Sequence, residues 1–253
     1  MLNKVKFALN VVKTYKNWSD VFLDHLGHFP IYKRKTYFLR NGIKMETRCQ
    51  TTDLGTMHTH FIGQENDRFL SQLNENPIII DIGAHIGTFS IYAMKKVPTV
   101  TIYSFEPHPD NYELLLKNIR MNGFERSIKP FRFAIFNKNG KLNLYFRKRY
   151  TAGCTLIKEK DNEHVKVKCI TIKDIFDSNR IEMCDLLKID CEGSDYKIIV
   201  SIPKNYFKKI KSIHAEFHTK KELELMSKVL QNNNFKTDMK WFTKDYGNIY
   251  AQR

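Results

Sequence analysis

A chain of 253 residues with 42% hydrophobic and 13% aromatic residues is long enough for an α/β domain with a large core and too apolar to stay disordered. Its 42 basic and 27 acidic residues leave a net charge of +15, which points to an anionic partner (nucleic acid, acidic glycan or a membrane surface) or to a lysine-rich solvated surface. No run of 18 apolar residues is present, which excludes a membrane-spanning helix; five cysteines without a C-x-x-C pair argue against a disulfide framework or a thiolate zinc site, and for reduced thiols in a cytoplasm.

The first residues lack the apolar core and small-residue cleavage site of a secretory signal. Val5, Leu9, Val12, Trp18, Phe22 and Leu26 recur among lysines at roughly helical spacing, which predicts one or two amphipathic helices over residues 3–26. Packing against the domain is their expected use, with peripheral membrane contact as the alternative. The alternating stretch YKRKTYFLRNGIKMET predicts a hairpin about Arg40-Asn41-Gly42. A boundary near residue 70 separates this helical and hairpin extension, 1–70, from the remainder, 71–253. From residue 77 strand-like and helical patterns alternate: strands at 78–82, 100–105 and 129–135, and helices at 86–96 and 109–121. A polar hairpin follows near 139–146, then a strand at 164–170 and a short helix at 171–177. Strands at 185–190 and 211–217, helices at 194–200 and 219–231, and closing strands around 235–242 and 247–251 complete the series. This rhythm predicts an α/β fold, a doubly wound, mostly parallel sheet with helices on both faces.

In such sheets ligands bind beyond the carboxyl ends of the strands, where strand order reverses. The first strand here runs into Asp81-Ile82-Gly83-Ala84-His85-Ile86-Gly87, and the second into Phe105-Glu106-Pro107. A glycine turn followed by an acidic residue at the end of the next strand fits an adenosine-type cofactor, the carboxylate accepting from both ribose hydroxyls. A dinucleotide fingerprint would need glycines where His85 and Thr88 stand, and no Gly-Lys-Ser/Thr phosphate loop is present. A carboxylate at Asp81 beside the turn disfavours a phosphate and suits an amine and a sulfonium, hence S-adenosylmethionine.

Four separated stretches, IIIDIGAHIGTFSIY, IYSFEPHPDNYELLLKNIRMN, FAIFNKNGKLNLYF and DLLKIDCEGSDYKII, resemble in order and spacing the FkbM-type S-adenosylmethionine-dependent methyltransferases, over roughly residues 75–220. IHAEFH fits the glutamate that the family carries near its fifth strand. The resemblance implies a Rossmann-like class I fold with a seven-stranded sheet, and O-methyl transfer to a hydroxyl of a sugar, glycan or other small molecule. It places Asp81 and Gly83 against the methionine part of the cofactor, with Ala84 and His85 among the cofactor-binding residues and Gly87 where the helix packs on the sheet. Glu106 falls on the ribose, Pro107 and His108 flank the adenine, and Ala134 and Ile135 border the base. Asp190 falls over the transferred methyl. Many class I enzymes have glycine at the position of His85; the FkbM type commonly has a polar residue there, often asparagine.

A sugar hydroxyl is a poor nucleophile until its proton leaves, so a positioned carboxylate or histidine is wanted. Asp190, Glu192 and Glu216 are the candidates. Period two places His214, Glu216 and His218 on one strand face, and together with the carboxylates they suggest a Mg²⁺ or Mn²⁺ site. Against this, Glu216 could simply pair with Lys188, and His214 could be a core histidine. His58 and His60 are of ligand type but lack a third ligand nearby, and Cys191 reads as a packing residue. Two other functions remain open. The charge favours an RNA ribose methyltransferase, although no RRM or KH signature is present; a non-catalytic scaffold is disfavoured by carboxylates at Asp81, Glu106 and Asp190. Acceptor contacts are expected from the N-terminal region and the 147–163 loop, where the knot Arg147-Lys148-Arg149 is the densest positive charge.

Overall fold

A computed structural model describes residues 2–64, 66–157 and 163–253. The N-terminal part contains α1 (Leu2–Thr14), α2 (Trp18–His25), the paired strands β1 (Arg34–Phe38) and β2 (Lys44–Arg48), then α3 (Asp53–Phe61) and α4 (Asp67–Leu70). Next come β3 (Ile78–Ile82), α5 (Thr88–Lys96), β4 (Thr101–Phe105), α6 (Pro109–Met121) and β5 (Ile128–Phe131). Four strands follow as β6 (Ala134–Ile135), β7 (Gly140–Arg147), β8 (Tyr150–Thr155) and β9 (Glu163–Ile170). The last stretch comprises α7 (Ile172–Ser178), β10 (Cys184–Ile189), α8 (Asp195–Ser201), α9 (Lys204–Phe207), β11 (Ile210–Phe217), α10 (Lys220–Asn232), β12 (Lys236–Trp241) and β13 (Gly247–Gln252).

The main sheet has seven strands in the order β12-β13-β11-β10-β3-β4-β5. All neighbours from β11 to β5 are parallel, while β13 runs antiparallel to both β11 and β12. This is the doubly wound, mostly parallel sheet expected from the β/α rhythm, with the seven strands that the resemblance implies. Its interior strands are apolar on both faces, as a parallel sheet between helix layers requires: Ile79, Ile80, Ile82, Leu186 and Leu187 have no exposed surface. Each such side chain contributes about 1.5–3 kcal/mol when buried. The chain winds outward from β3 to β5, then returns to lay β10 on the other side of β3. Strand order therefore reverses between β3 and β10, and the crevice beyond their carboxyl ends is where a ligand fits.

The segment 129–135 divides. Residues 128–131 close the main sheet, while Ala134 and Ile135 pair with β9 in a second sheet of order β6-β9-β7-β8. The hairpin expected near 139–146 is one strand, β7, whose turn lies at Lys148-Arg149. The N-terminal hairpin forms as expected, with Phe38 opposite Lys44. Val11, Tyr15, Tyr37, Met45, Met57 and Phe61 share one core cluster with Ile79, Phe89, Ile91 and Leu115. On α1 the buried stripe is not the expected one: Val11 is buried and Phe7 packs on the same cluster, whereas Val5, Leu9 and Val12 are exposed. The helix carries two apolar stripes at helical spacing, and periodicity alone does not choose between them. Among the described residues no helix is long and apolar enough to cross a membrane.

Candidate active site

Two cavities meet at the carboxyl ends of β3 and β10. The larger, of about 830 Å³, is walled by the N-terminal segment (Gln50, Thr52, His60, Asn66), the turn after β3, and Lys188, Asp190, Glu192, His214, Glu216, Tyr246 and Asn248. The smaller is a slot of about 40 Å³ between Phe105, Glu106, Pro107, Phe133, Ala134 and Ile135 below and Ala152, Cys154 and Leu156 of the β8 region above. Gly83, His85, Ala152 and Asp190 line both.

Gly83 is glycine for a steric reason. Its φ is +79°, and a Cβ there would stand 1.8 Å from the Asp190 carbonyl oxygen, so no side chain lets the two turns approach. The N–H groups of Gly83 and Ala84 donate to the Phe105 carbonyl, tying the turn to the end of β4. Gly87, at φ +88°, precedes α5 and lies against Leu115 of α6, where a Cβ would approach the Leu115 methyl to 2.7 Å. It lies on neither cavity wall and packs α5 against α6, where a cofactor-binding residue seating the helix on the sheet was expected.

Glu106 is 4% exposed, and its carboxylate accepts from the backbone N–H of His85 and of His108, each at 2.8 Å. Asn111 Nδ2 is a longer third donor at 3.4 Å. Burial raises its pKa and these donors oppose the rise. Of the residues expected beside the adenine, Pro107, Ala134 and Ile135 line the slot. His108 does not; it begins α6 with its ring edge-on to Phe146.

Asp81 departs furthest from its expected place. It has no exposed surface and reaches neither cavity; it accepts from Ser90 Oγ at 2.6 Å and lies 3.4 Å from Lys188 Nζ. Lys188 is itself 4% exposed and pairs also with Asp190 at 3.1 Å, not with Glu216. Burial pulls the Lys188 pKa down, but Asp190 and Asp81 outweigh it and hold the ammonium charged. Although its burial acts the other way, Lys188 keeps the Asp190 carboxyl below the usual range. The Asp190 side chain is 39% exposed, open to ligand.

Glu192 and Glu216 both line the large cavity, with Tyr150 Oη 3.4 Å from Glu192 and Tyr246 Oη donating to Glu216 at 2.9 Å. Burial first, then Asp190, Asp195 and Glu192, push the Glu216 carboxyl up to about 10, which favours its protonated form and leaves Asp190 the better-placed base. Burial and then Asp190 likewise raise Asp195 to about 7. Among the described residues the one cluster of metal-ligand type is Glu192, Glu216 and His218, with ligand atoms within 4.8 Å of one another. Its third member is held by the start of α10: the His218 N–H donates to Glu222 Oε2 while Thr219 caps Glu222 N. His214 lies apart from this cluster, stacked on Phe69, with its ring on the cavity wall. His60 lines the same cavity beside Asn66, whereas His58 sits among the rings of Phe7, Tyr15 and His25. The two therefore do not form one ligand pair. Cys191 lines the slot with its thiol pKa pushed well up by burial, the behaviour of a packing residue. Of the 147–163 loop, Tyr150 and Ala152 reach the large cavity, Lys148 pairs with Glu163, and residues 158–162 lie outside the described residues.

Sequence reasoning did not single out Arg48, Asp53, Asn66, Asp195, Tyr246 or Asn248. Asp53 is fully buried, accepts from Arg48 Nε and Nη2 at 2.8 and 2.9 Å, and lies 3.1 Å from His85 Nε2. His85 takes a left-handed conformation, φ +51°, which costs a non-glycine residue roughly 1–2 kcal/mol and is the conformation for which glycine is favoured. Its backbone bond to Glu106 and side-chain pairing with Asp53 offset that cost. The residues present fit S-adenosylmethionine: an acidic, backbone-fixed Glu106 for a ribose, an apolar slot for a base, and a junction with the large cavity that Gly83 and Asp190 both line.

Comparison with known proteins identifies the family. Residues 81–237 match the methyltransferase FkbM domain. The chain is 26% identical over 178 residues to methyltransferase sdnD of Sordaria araneosa, covering 58% of this chain and 68% of that one. It is 25% identical over 175 residues to 31-O-demethyl-FK506 methyltransferase FkbM of Streptomyces tacrolimicus, covering 58% and 67%. Among solved structures, M. jannaschii TYW2 in complex with AdoMet superposes with a TM-score of 0.47 at 15% identity, over 88% of this chain and 86% of that one. The chain belongs to the FkbM methyltransferase family and is an S-adenosylmethionine-dependent methyltransferase.

Proposed function

We propose that the protein methylates a hydroxyl of a sugar, glycan or other polyhydroxylated small molecule seated in the large cavity. The observation that carries this reading is Asp190, the one carboxylate common to the walls of both cavities. S-adenosylmethionine, when bound, supplies the methyl group as a sulfonium substituent. Glu106 holds the ribose end and the turn at Gly83 the part nearest Asp190. A hydroxyl in the large cavity then meets an ionised carboxylate that accepts its hydrogen bond and takes its proton as the oxygen attacks. Orientation of this kind supplies much of the rate of an in-line displacement.

The class of acceptor follows from the cavity's polar wall. Among the described residues Asn66 Oδ1 and His214 Nδ1 are buried polar atoms without a partner, and burial drives the His60 and His214 pKa values down to about 3, keeping both imidazoles neutral. Unpaired polar atoms and neutral imidazoles favour a ligand rich in hydroxyls, which both donate and accept. One relative bears an O-demethylated compound in its name, which agrees with a hydroxyl acceptor. The net charge of +15 supports an anionic acceptor, and the five unpaired cysteines support a reducing, cytoplasmic setting.

The test is transfer of label from methyl-tritiated S-adenosylmethionine to separate pools of monosaccharides, nucleotide sugars, lipid-linked sugars and RNA. Label in a hydroxyl compound is the expected result; label in RNA alone would replace this reading with ribose methylation. Asp190→Asn should lower kcat by about 10²–10⁴ with little change in cofactor affinity. A variant with a lower Tm but wild-type kcat per folded molecule would make Asp190 structural. An EDTA arm decides whether Glu192, Glu216 and His218 hold Mg²⁺ or Mn²⁺: loss restored by either ion adds the metal to the site, and indifference removes it.

A further inference from the structure

The N-terminal segment contributes more than an acceptor wall. Arg48, Asp53, His85, Glu106 and Asn111 form a closed ring of contacts. Arg48 Nη2 donates to Asp53 Oδ1 at 2.9 Å and to Asn111 Oδ1 at 2.7 Å. Asn111 Nδ2 faces Glu106 Oε1 at 3.4 Å, the His85 N–H donates to Glu106 Oε2, and His85 Nε2 returns to Asp53 Oδ1 at 3.1 Å. Arg48 and Asp53 lie outside the stretch that matches the family, residues 81–237.

This ring fixes a tautomer. His85 and Arg48 outweigh burial and keep the Asp53 carboxyl far below the usual range, so it is an acceptor only. Thr151, whose hydroxyl lies 3.3 Å from His85 Nε2, gives its own hydrogen to Asp53. Both neighbours of Nε2 therefore require that nitrogen to carry the proton, which leaves Nδ1 as a bare lone pair. Nδ1 is buried and has no partner among the described residues, and His85, 7% exposed, lines both cavities where they join.

We infer that His85 Nδ1 accepts a hydrogen bond from the α-ammonium group of the cofactor, and that Asp53 is the positioning residue that keeps this nitrogen unprotonated. With the two ribose hydroxyls satisfied by Glu106, the ammonium is the strong donor of the cofactor left to meet an acceptor at that junction. The inference rests on the cofactor assignment above and extends it to a residue of the N-terminal segment.

Calorimetry tests it without knowledge of the acceptor. Three ligands are compared: S-adenosylhomocysteine, its decarboxylated analogue, which keeps the amine, and 5′-methylthioadenosine, which lacks the amino-acid part. Asp53→Asn allows the imidazole to reverse its tautomer. It should weaken the two amine-bearing ligands roughly tenfold to hundredfold, the loss of one charge-assisted hydrogen bond, and leave methylthioadenosine near wild type. His85→Asn tolerates the left-handed backbone and offers a carbonyl oxygen, so it should restore most of the affinity that His85→Ala loses. In the His85→Asn background, Asp53→Asn should cost nothing further.

Equal weakening of all three ligands by Asp53→Asn, or the same loss in both backgrounds, would make Asp53 a purely structural residue and overturn the inference. Where Asp53→Asn does not fold, the His85 variants decide. His85→Ala should weaken S-adenosylhomocysteine more than methylthioadenosine, and His85→Asn should abolish most of that difference; equal weakening of all three ligands by His85→Ala refutes the inference. A chain that binds none of the three ligands would instead overturn the cofactor assignment.

Discussion

Asp81 and Lys188 show how a residue of the expected type can serve a neighbouring purpose. The carboxylate at the end of β3 does not line the cofactor cavities; it neutralises a buried ammonium that also pairs with Asp190. Removing one partner of such a pair leaves uncompensated buried charge. Lys188→Met should therefore destabilise the chain by about 3–5 kcal/mol, and Lys188→Met with Asp81→Asn should recover part of the loss. Urea denaturation measures both; a loss under 1 kcal/mol for the single variant would contradict the pairing. Glu216 makes a second residue-level prediction through its proton. Its folded pKa, about 10, lies above the ordinary carboxyl value. The folded state therefore holds that proton more tightly, and stability falls as pH rises from near 4.5 toward 10. Glu216→Gln removes this titration, so its Tm advantage over wild type should grow between pH 7 and pH 9, by at least about 2–4 °C, the equivalent of 1 kcal/mol. A pH-independent difference would show that Glu216 is ionised in the fold.

At the scale of elements, β8 is the roof of the site. Thr52 Oγ1 accepts from the Ala152 N–H at 2.9 Å, and Asn111 donates to the Thr151 carbonyl at 3.1 Å, so α3 and α6 hold the strand over the slot. A slot of about 40 Å³ has room for a few waters and not for a nucleoside, so the slot is expected to widen at its β8 roof when the cofactor binds. Hydrogen exchange at residues 151–155 should change on adding S-adenosylhomocysteine while the β10–β11 ladder stays protected; no change at β8 would place the adenine elsewhere. This roof was not legible in the sequence. Asn139-Gly140 looks like a hairpin turn and draws the hairpin to 139–146, whereas the true turn, Lys148-Arg149, carries neither glycine nor asparagine. Helix α3 was equally hidden: Gly55, Thr56 and Thr59 lower its intrinsic propensity, and burial of Leu54, Met57 and Phe61 against the rest of the fold offsets that. Strands β3, β4, β10 and β11 and the turn at Gly83 were legible because their signals are local, an apolar run followed by turn chemistry.

The whole molecule explains which parts of the site a sequence can disclose. Gly83, Glu106 and Asp190 stand at strand ends, where motif and position coincide. Asp53, His60, Asn66, Tyr246 and Asn248 come from the two ends of the chain and meet only because β13 lies beside β11 and the N-terminal segment shares the core of β3 and α5. No spacing rule connects them. Net charge is the other molecular property that the sequence states outright: if it steers an anionic acceptor, raising salt from 50 to 500 mM should lower kcat/KM several-fold with kcat nearly unchanged. A neutral acceptor that works equally well at both salts would leave the charge as surface solvation. The central claim is that cofactor and acceptor meet at Asp190, between the slot and the large cavity. A crystal structure with S-adenosylhomocysteine tests it most directly: the account requires adenine in the slot between Ala134 and β8, ribose hydroxyls on Glu106 and the sulfur facing Asp190, with the large cavity still open. Adenine in the large cavity, or a ribose remote from Glu106, would contradict it.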